Sequence, residues 1–222
     1  MVESKPDTAI AYFTRGLVLT RLRDYDGAMA AFDKTIALDG AKTAYLVNRA
    51  TVLYYLKDFD SAEKELKTIL TKDSSELNIF NTLALIATEK GRYEEALQWI
   101  NKAITASPRE PFFLNNRGYV YLSMNKLEEA ERDINESISL DPYNGWAYRN
   151  KGIFYLMTNK PIDAERLLKQ AIEMDASIDK VYFYYGMSLF KQGRKSDACE
   201  QFQKSEELGD KMLTTDIIKA CK

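Results

Sequence analysis

Apolar positions along this chain follow helical spacing inside a fixed period of 34 residues. One column of the period holds alanine in all six copies: Ala28, Ala62, Ala96, Ala130, Ala164 and Ala198. Twelve residues before each alanine stands a small residue, in the series Gly16, Ala50, Ala84, Gly118, Gly152 and Gly186. Four residues after each alanine stands a large apolar residue, in the series Phe32, Leu66, Ile100, Ile134, Leu168 and Phe202. Small residues let two helices approach closely and large ones fill the space between neighbours, so the pattern predicts a repeated array of packed helices.

These columns resemble those of the tetratricopeptide repeat (TPR), a unit of 34 residues that forms two antiparallel helices. The resemblance implies an all-α fold: a right-handed superhelical solenoid of six helix-turn-helix units, in a single array over residues 1–222. We number these units as repeats one to six, at residues 9–42, 43–76, 77–110, 111–144, 145–178 and 179–212. Glycine or asparagine in the middle of four repeats ends the first helix, at Gly91, Asn125, Asn159 and Gly193.

The two ends of the chain differ from the repeats. Residues 213–222 carry apolar side chains at helical spacing, namely Leu213, Ile217, Ile218 and Ala220, and predict a short helix that caps the last repeat. At the other end, Pro6 and Asp7 stand where a preceding repeat would close. The same two residues also fit the plain start of a helix.

Composition narrows the function classes. Of 222 residues, 45% are hydrophobic and 29% are charged, which is typical of a folded protein with a core. The formal net charge is −2, so no overall field attracts nucleic acid or an anionic membrane. No apolar run approaches the roughly 20 residues of a membrane span. We therefore expect a soluble protein that inserts into no membrane and binds no nucleic acid, either cytoplasmic or exported with its signal removed.

Enzyme signatures are missing from the sequence. The chain has no histidine, which excludes Ser-His-Asp and Cys-His mechanisms. Its glycines form no GxG phosphate-binding pattern, and its two cysteines form no CxxC motif. We therefore expect no catalytic residue, no cofactor and no metal site.

The two cysteines and two arginines each allow more than one role. Cys199 lies on the second helix of repeat six and Cys221 on the capping helix, so they form a disulfide in an exported protein or stay thiols in cytoplasm. Arg49 and Arg117 each have an acid sixteen residues later, Glu65 and Asp133. This spacing favours a salt bridge within each repeat over a role in ligand binding.

The remaining candidate for function is the groove. In a TPR array the first helices of successive repeats line the concave face. Aromatic, asparagine and basic residues crowd the inward positions there, chiefly in repeats four to six. The candidate peptide-binding residues are Asn48, Asn115, Asn116, Tyr119, Trp146, Arg149, Asn150, Lys180, Phe183, Tyr184 and Met187.

Each residue type has an expected role in the groove. Exposed aromatic rings at Trp146, Tyr119 and Phe183 would anchor a partner. Asparagine amides would hydrogen-bond an extended peptide backbone, as at Asn116 and Asn150.

Arg149 and Lys180 would favour an acidic segment or a free C-terminal carboxylate. We therefore expect a non-enzymatic scaffold that binds a protein or peptide in its concave groove. Two alternatives stay open: an assembly or self-association module, or the recognition arm of a longer protein.

Overall fold

A computed structural model describes residues 8–210 and 212–221. Pro6 and Asp7 lie outside the described residues. The described residues form thirteen helices and contain no strand. The helices are α1 Ala9–Arg21, α2 Tyr25–Asp39, α3 Thr43–Tyr55, α4 Phe59–Leu70, α5 Asn78–Glu89, α6 Tyr93–Ala106, α7 Pro111–Ser123, α8 Leu127–Leu140, α9 Gly145–Met157, α10 Pro161–Met174, α11 Val181–Lys191, α12 Lys195–Glu207 and α13 Thr215–Ala220. Each repeat therefore holds one helix pair, and α13 follows the sixth pair, which confirms the all-helical repeat fold.

The turn inside each pair has one backbone conformation in all six repeats. The second residue after the first helix has a positive φ, at Arg23, Lys57, Gly91, Asn125, Asn159 and Gly193. Glycine and asparagine adopt this left-handed conformation most easily, so the four predicted helix ends are confirmed. Repeats one and two use Arg23 (φ 62°) and Lys57 (φ 64°) at the same place. The Cβ atom of each residue makes that conformation costly there, and neither residue has the short polar side chain that favours asparagine.

Second helices begin with acidic caps where the sequence supplies them. The backbone N–H of Gly27 donates to the Asp24 carboxylate (3.0 Å), and that of Ser61 donates to Asp58 (3.2 Å). These bonds satisfy amide groups that have no partner within the helix. The acids at these two starts therefore have a structural role.

The small-residue column lets the two helices of a pair cross closely. A Cβ built on Gly16 would lie 2.6 Å from the Phe32 ring, and one on Gly152 would lie 2.5 Å from Leu168 Cγ. Both partners come from the large apolar column sixteen residues later. The two columns predicted from the sequence therefore form one contact, repeated along the chain.

Contacts divide the chain into two compact halves, one ending at Ala106 and the other beginning at Ser107. In the N-terminal half, the core forms around Val47, Leu66, Ile79 and Ile86. In the C-terminal half, the first helices α7, α9 and α11 contact one another in sequence, and each packs on its own second helix. We call α7, α9 and α11 the inner layer of the C-terminal half.

The predicted salt bridges within repeats are present. Glu65 accepts two hydrogen bonds from Arg49, at 3.1 and 2.7 Å. Asp133 accepts two from Arg117, at 2.6 and 2.9 Å, and is almost fully buried. The Asp133 hydrogen bond raises the pKa of Arg117 above its usual value. Both arginines therefore join the two helices of their own repeat.

No helix among the described residues combines the length and the apolar character needed to cross a membrane.

Candidate functional site

Ten of the eleven predicted binding residues lie in the C-terminal half, on the inner layer or directly before one of its helices. Asn48 is the exception, because it lies on α3 in the N-terminal half. Its side-chain amide donates to the carbonyl of Ala44 in its own helix (2.7 Å). The C-terminal half is therefore where the candidate residues can act together.

The predicted asparagines form a buried chain of hydrogen bonds. Asn150 of α9 donates from Nδ2 to Asn115 Oδ1 of α7 (2.8 Å) and to the Asn115 carbonyl (3.3 Å). Asn115 donates in turn to Asn116 Oδ1 (3.2 Å). Asn115 and Asn150 are fully buried and Asn116 nearly so. Asn150 is therefore not open to a peptide backbone as expected, because its amide joins α9 to α7, and Asn116 is only 6% exposed.

Arg149 extends this chain toward the aromatic residues. Its Nε and Nη2 donate to Asn150 Oδ1 (3.1 and 2.7 Å), and its Nη1 donates to the backbone carbonyl of Asp179 (2.9 Å). The guanidinium lies over two rings, 4.9 Å from the Trp146 centroid and 5.2 Å from the Tyr119 centroid. Aromatic faces attract a cation, and the amide dipoles orient it.

The charge of Arg149 has no carboxylate partner among residues 8–210 and 212–221. Only 5% of the residue is exposed, and none of the ion pairs between described residues involves it. Three of its five N–H groups are used in the bonds above. The other two remain for an acceptor from outside these residues.

Two residues near α11 do not fit the expected exposed surface. Phe183 is only 8% exposed, and its ring packs 5.9 Å from the Phe202 ring and 5.3 Å from Tyr184. The expectation that the Phe183 ring is exposed in the groove is therefore wrong, since it is part of the core between α11 and α12. Lys180 is also buried, and its backbone N–H donates to the buried Asp210 carboxylate (3.2 Å).

Partly exposed aromatic and apolar side chains surround Arg149. Trp146, Tyr119, Tyr184 and Met187 each keep part of their surface accessible. Tyr184 and Met187 also pack against the buried residues of α10 and α11. The inner layer therefore presents a polarizable apolar surface around the buried Arg149 cation, which suits recognition of a protein segment.

The contact between Arg149 and Asp179 has no signal in the sequence. The acceptor is a backbone carbonyl, which any residue type would supply at that position. Only the fold places this carbonyl, 30 residues later in the chain, against the guanidinium.

Away from the inner layer, the structure joins Cys199 of α12 to Cys221, directly after α13, in a disulfide with a Cα–Cα distance of 5.5 Å. The described residues contain no group of three or more potential metal ligands.

Comparisons with known proteins agree with the fold. Sequence profiles of the tetratricopeptide repeat match residues 2–42, 47–111 and 155–211, and a second profile of that repeat matches residues 111–144. No curated protein matches the sequence significantly.

Several solved structures are similar in fold. A thermophilic TPR protein of Thermus thermophilus is 19% identical, with a TM-score of 0.71 over 82% of this chain and 100% of that one. The APC/C hetero-tetramer Cut9–Hcn1 gives 15% identity and a TM-score of 0.73 over 100% of this chain and 44% of the matched chain. A TPR protein of Parabacteroides merdae ATCC 43184 is 18% identical, with a TM-score of 0.57 over 96% of this chain and 83% of that one.

At these identities the structural matches show a shared fold, whereas the profiles together cover nearly the whole sequence. The columns, the helix pairs and the profiles agree, and the chain belongs to the tetratricopeptide repeat family.

Proposed function

We propose that this chain is a non-enzymatic scaffold that binds a peptide segment of another protein on the inner layer of its C-terminal half. The TPR fold supports protein–protein interaction in general. One similar structure, Cut9–Hcn1, is itself a complex of two proteins. The finer proposal depends on the surroundings of Arg149.

The observation that carries the proposal is a buried cation without an anion. Burying an arginine costs free energy unless its charge is compensated, and here aromatic rings and amide dipoles compensate it only in part. Two N–H groups of Arg149 remain for an acceptor, and the guanidinium that carries them lies over the rings of Trp146 and Tyr119. A carboxylate would complete this set, and the exposed parts of both rings would cover its apolar neighbours.

The partner is therefore an acidic segment or a chain end with a free carboxylate. Both sources offer the same group to Arg149. Twelve-residue peptides that carry either a C-terminal carboxylate or a C-terminal amide distinguish them, when each version is made with and without an internal glutamate.

A peptide array tests the proposal with three variants. Arg149→Gln removes the charge and Trp146→Ala removes one ring, so we expect both to lose the peptides that wild type binds. Arg166→Gln is the matched control, because Arg166 is exposed on α10, outside the inner layer. Circular dichroism of each variant verifies that it is folded. Equal binding by folded Arg149→Gln and wild type would contradict the proposal.

A second function, self-association, is favoured by a different observation. The positions that follow Val18 at steps of 34 residues are all buried, namely Val52, Ile86, Val120, Phe154 and Ser188. Val18 itself is 51% exposed. In the later repeats the column therefore belongs to the buried packing. If a second copy covers it here, Val18→Asp will lower the concentration-dependent mass measured by light scattering. A mass that equals one chain at all concentrations would exclude this function.

A further inference from the structure

One column of the repeat links a helix pair to the following one in three of the repeats. It holds Glu63, Glu131 and Glu165 in repeats two, four and five. Glu131 accepts a hydrogen bond from Lys151 of the following repeat (2.6 Å), and Glu165 accepts one from Arg194 of the following repeat (2.7 Å). Glu63 does the same with Arg92 (2.7 Å). An acid at this position therefore links consecutive repeats.

In repeat six the same column holds Cys199, one full period after Glu165. Its partner is Cys221, next to the capping helix α13. In repeat six a disulfide therefore occupies the column that carries an ion pair in repeats two, four and five. It is the kind of link that a reductant can break.

The helix α13 takes the place of the first helix of a seventh repeat. Ala220 falls one period after Gly186 in the small-residue column, and Ile217 falls one period after Phe183. Leu213 and Ile217 pack against the buried cluster that contains Phe202 and Leu189. The surface beneath α13 is therefore the surface on which a following helix pair would pack.

Apart from the disulfide, the described contacts hold α13 weakly. It has only six residues and none of them is buried. Among the described residues, every hydrogen bond of residues 212–221 has both partners within residues 210–221. Residues 212–221 form no ion pair with any other described residue. A cavity of about 660 Å³ lies between α12 and α13, lined by Phe202, Leu213, Ile217 and both cysteines. A helix this short does not persist without its contacts.

We infer that the Cys199–Cys221 disulfide is a redox-sensitive link that decides whether the apolar end of the last repeat is covered. A dithiol reductant supplies two electrons and two protons: the S–S bond breaks, each cysteine becomes a thiol, and the reductant becomes a disulfide. Two thiols cannot form the ion pair that repeats two, four and five have in this column. Reduction therefore releases α13 and exposes the side of α11 and α12 that contains Phe202 and Leu189. A disulfide oxidant reverses the reaction by thiol–disulfide exchange.

Hydrogen–deuterium exchange of the full chain, with and without dithiothreitol, tests this inference. Reduction will speed exchange in residues 212–221 at least tenfold, and to a smaller extent in α12, while α3 and α4 exchange at unchanged rates. The double variant Cys199→Ser/Cys221→Ser will exchange like the reduced protein in either buffer. Binding of the dye ANS will rise in parallel, because it reports the newly exposed apolar surface.

Two results would overturn the inference. One is equal protection of residues 212–221 in oxidised and reduced wild type, which would mean that apolar packing alone holds α13. The other is that both thiols remain free in protein incubated with oxidised glutathione, as counted by maleimide labelling and mass spectrometry. A variant that keeps the disulfide but loses a packing contact, Ile217→Asp, separates the two contributions. In that variant, dithiothreitol will change the exchange rate of α13 by a larger factor than it does in wild type.

Discussion

Substitution of Glu63 by glutamine will destabilise the N-terminal half by about 1–2 kcal/mol. Glu63 accepts hydrogen bonds from Arg92 (2.7 Å), Lys90 (2.8 Å) and Lys67 (2.6 Å), and so links repeats two and three. Glutamine keeps one oxygen and turns an amide donor toward the cations, so at least one cation loses its acceptor. Hydrogen bonds to charged groups contribute about 1.5–3 kcal/mol each when buried. The partners here are 25–47% exposed, and solvent lowers that contribution.

The pH dependence follows from the same contacts. Hydrogen bonds from Arg92, then from Lys67 and Lys90, hold the pKa of Glu63 far below its usual range, although partial burial opposes them. A depressed pKa in the folded state gives stability that is present above the pKa of the unfolded chain, about 4.3, and is lost as the pH falls. The difference between wild type and Glu63→Gln will therefore shrink as the pH falls from about 5 to about 2.

Urea unfolding followed by circular dichroism measures this difference. The control is Glu94→Gln, because Glu94 is an exposed acid on α6 that has no ion pair among the described residues. We expect Glu94→Gln to change the unfolding free energy by less than about 0.5 kcal/mol. If Glu63→Gln matches the control at neutral pH, or if its effect does not change with pH, the account of this network is wrong.

Two further substitutions test the turns and the salt bridges. Lys57→Gly will stabilise the protein by about 1 kcal/mol in urea unfolding, because Lys57 has a left-handed backbone that glycine adopts without strain. Lys64→Gly, inside α4, will instead destabilise it by about 1 kcal/mol, and the same sign for both would contradict the argument. Arg117→Met will destabilise by about 3 kcal/mol, since it leaves the buried Asp133 carboxylate without its cation. Arg132→Met, at an exposed position of α8, will have little effect, and equal losses for both arginines would refute the assigned role.

Much of the fold could be predicted because its contacts are encoded at short fixed spacings. The contact between Gly152 and Leu168, and the salt bridge between Arg117 and Asp133, each join residues sixteen apart within one repeat. The turn at Asn159 is local as well, because a left-handed residue is needed there. Such features repeat with the period and can be read from one sequence.

The inner layer was harder to predict because its contacts run between repeats. The bond from Asn150 to Asn115 spans 35 residues, and it buries amides that a column of inward positions suggested were exposed. Phe183 is a different case, because Phe202, which helps to bury it, lies in the same repeat but on the next helix. Position along a helix therefore indicated which face these residues share, and neighbouring helices decided how far each is buried.

Site-specific crosslinking most directly tests the claim that the inner layer binds a peptide. A photoreactive benzoylphenylalanine placed at Tyr119 lies beside Arg149, and the same group at Arg166 lies on α10 as a control. After irradiation in a lysate of the source organism, mass spectrometry identifies the attached peptides. We predict that one acidic or C-terminal segment attaches at position 119 and not at 166, and that it is lost in Arg149→Gln. Equal labelling from both positions, or labelling that persists in Arg149→Gln, would contradict the account.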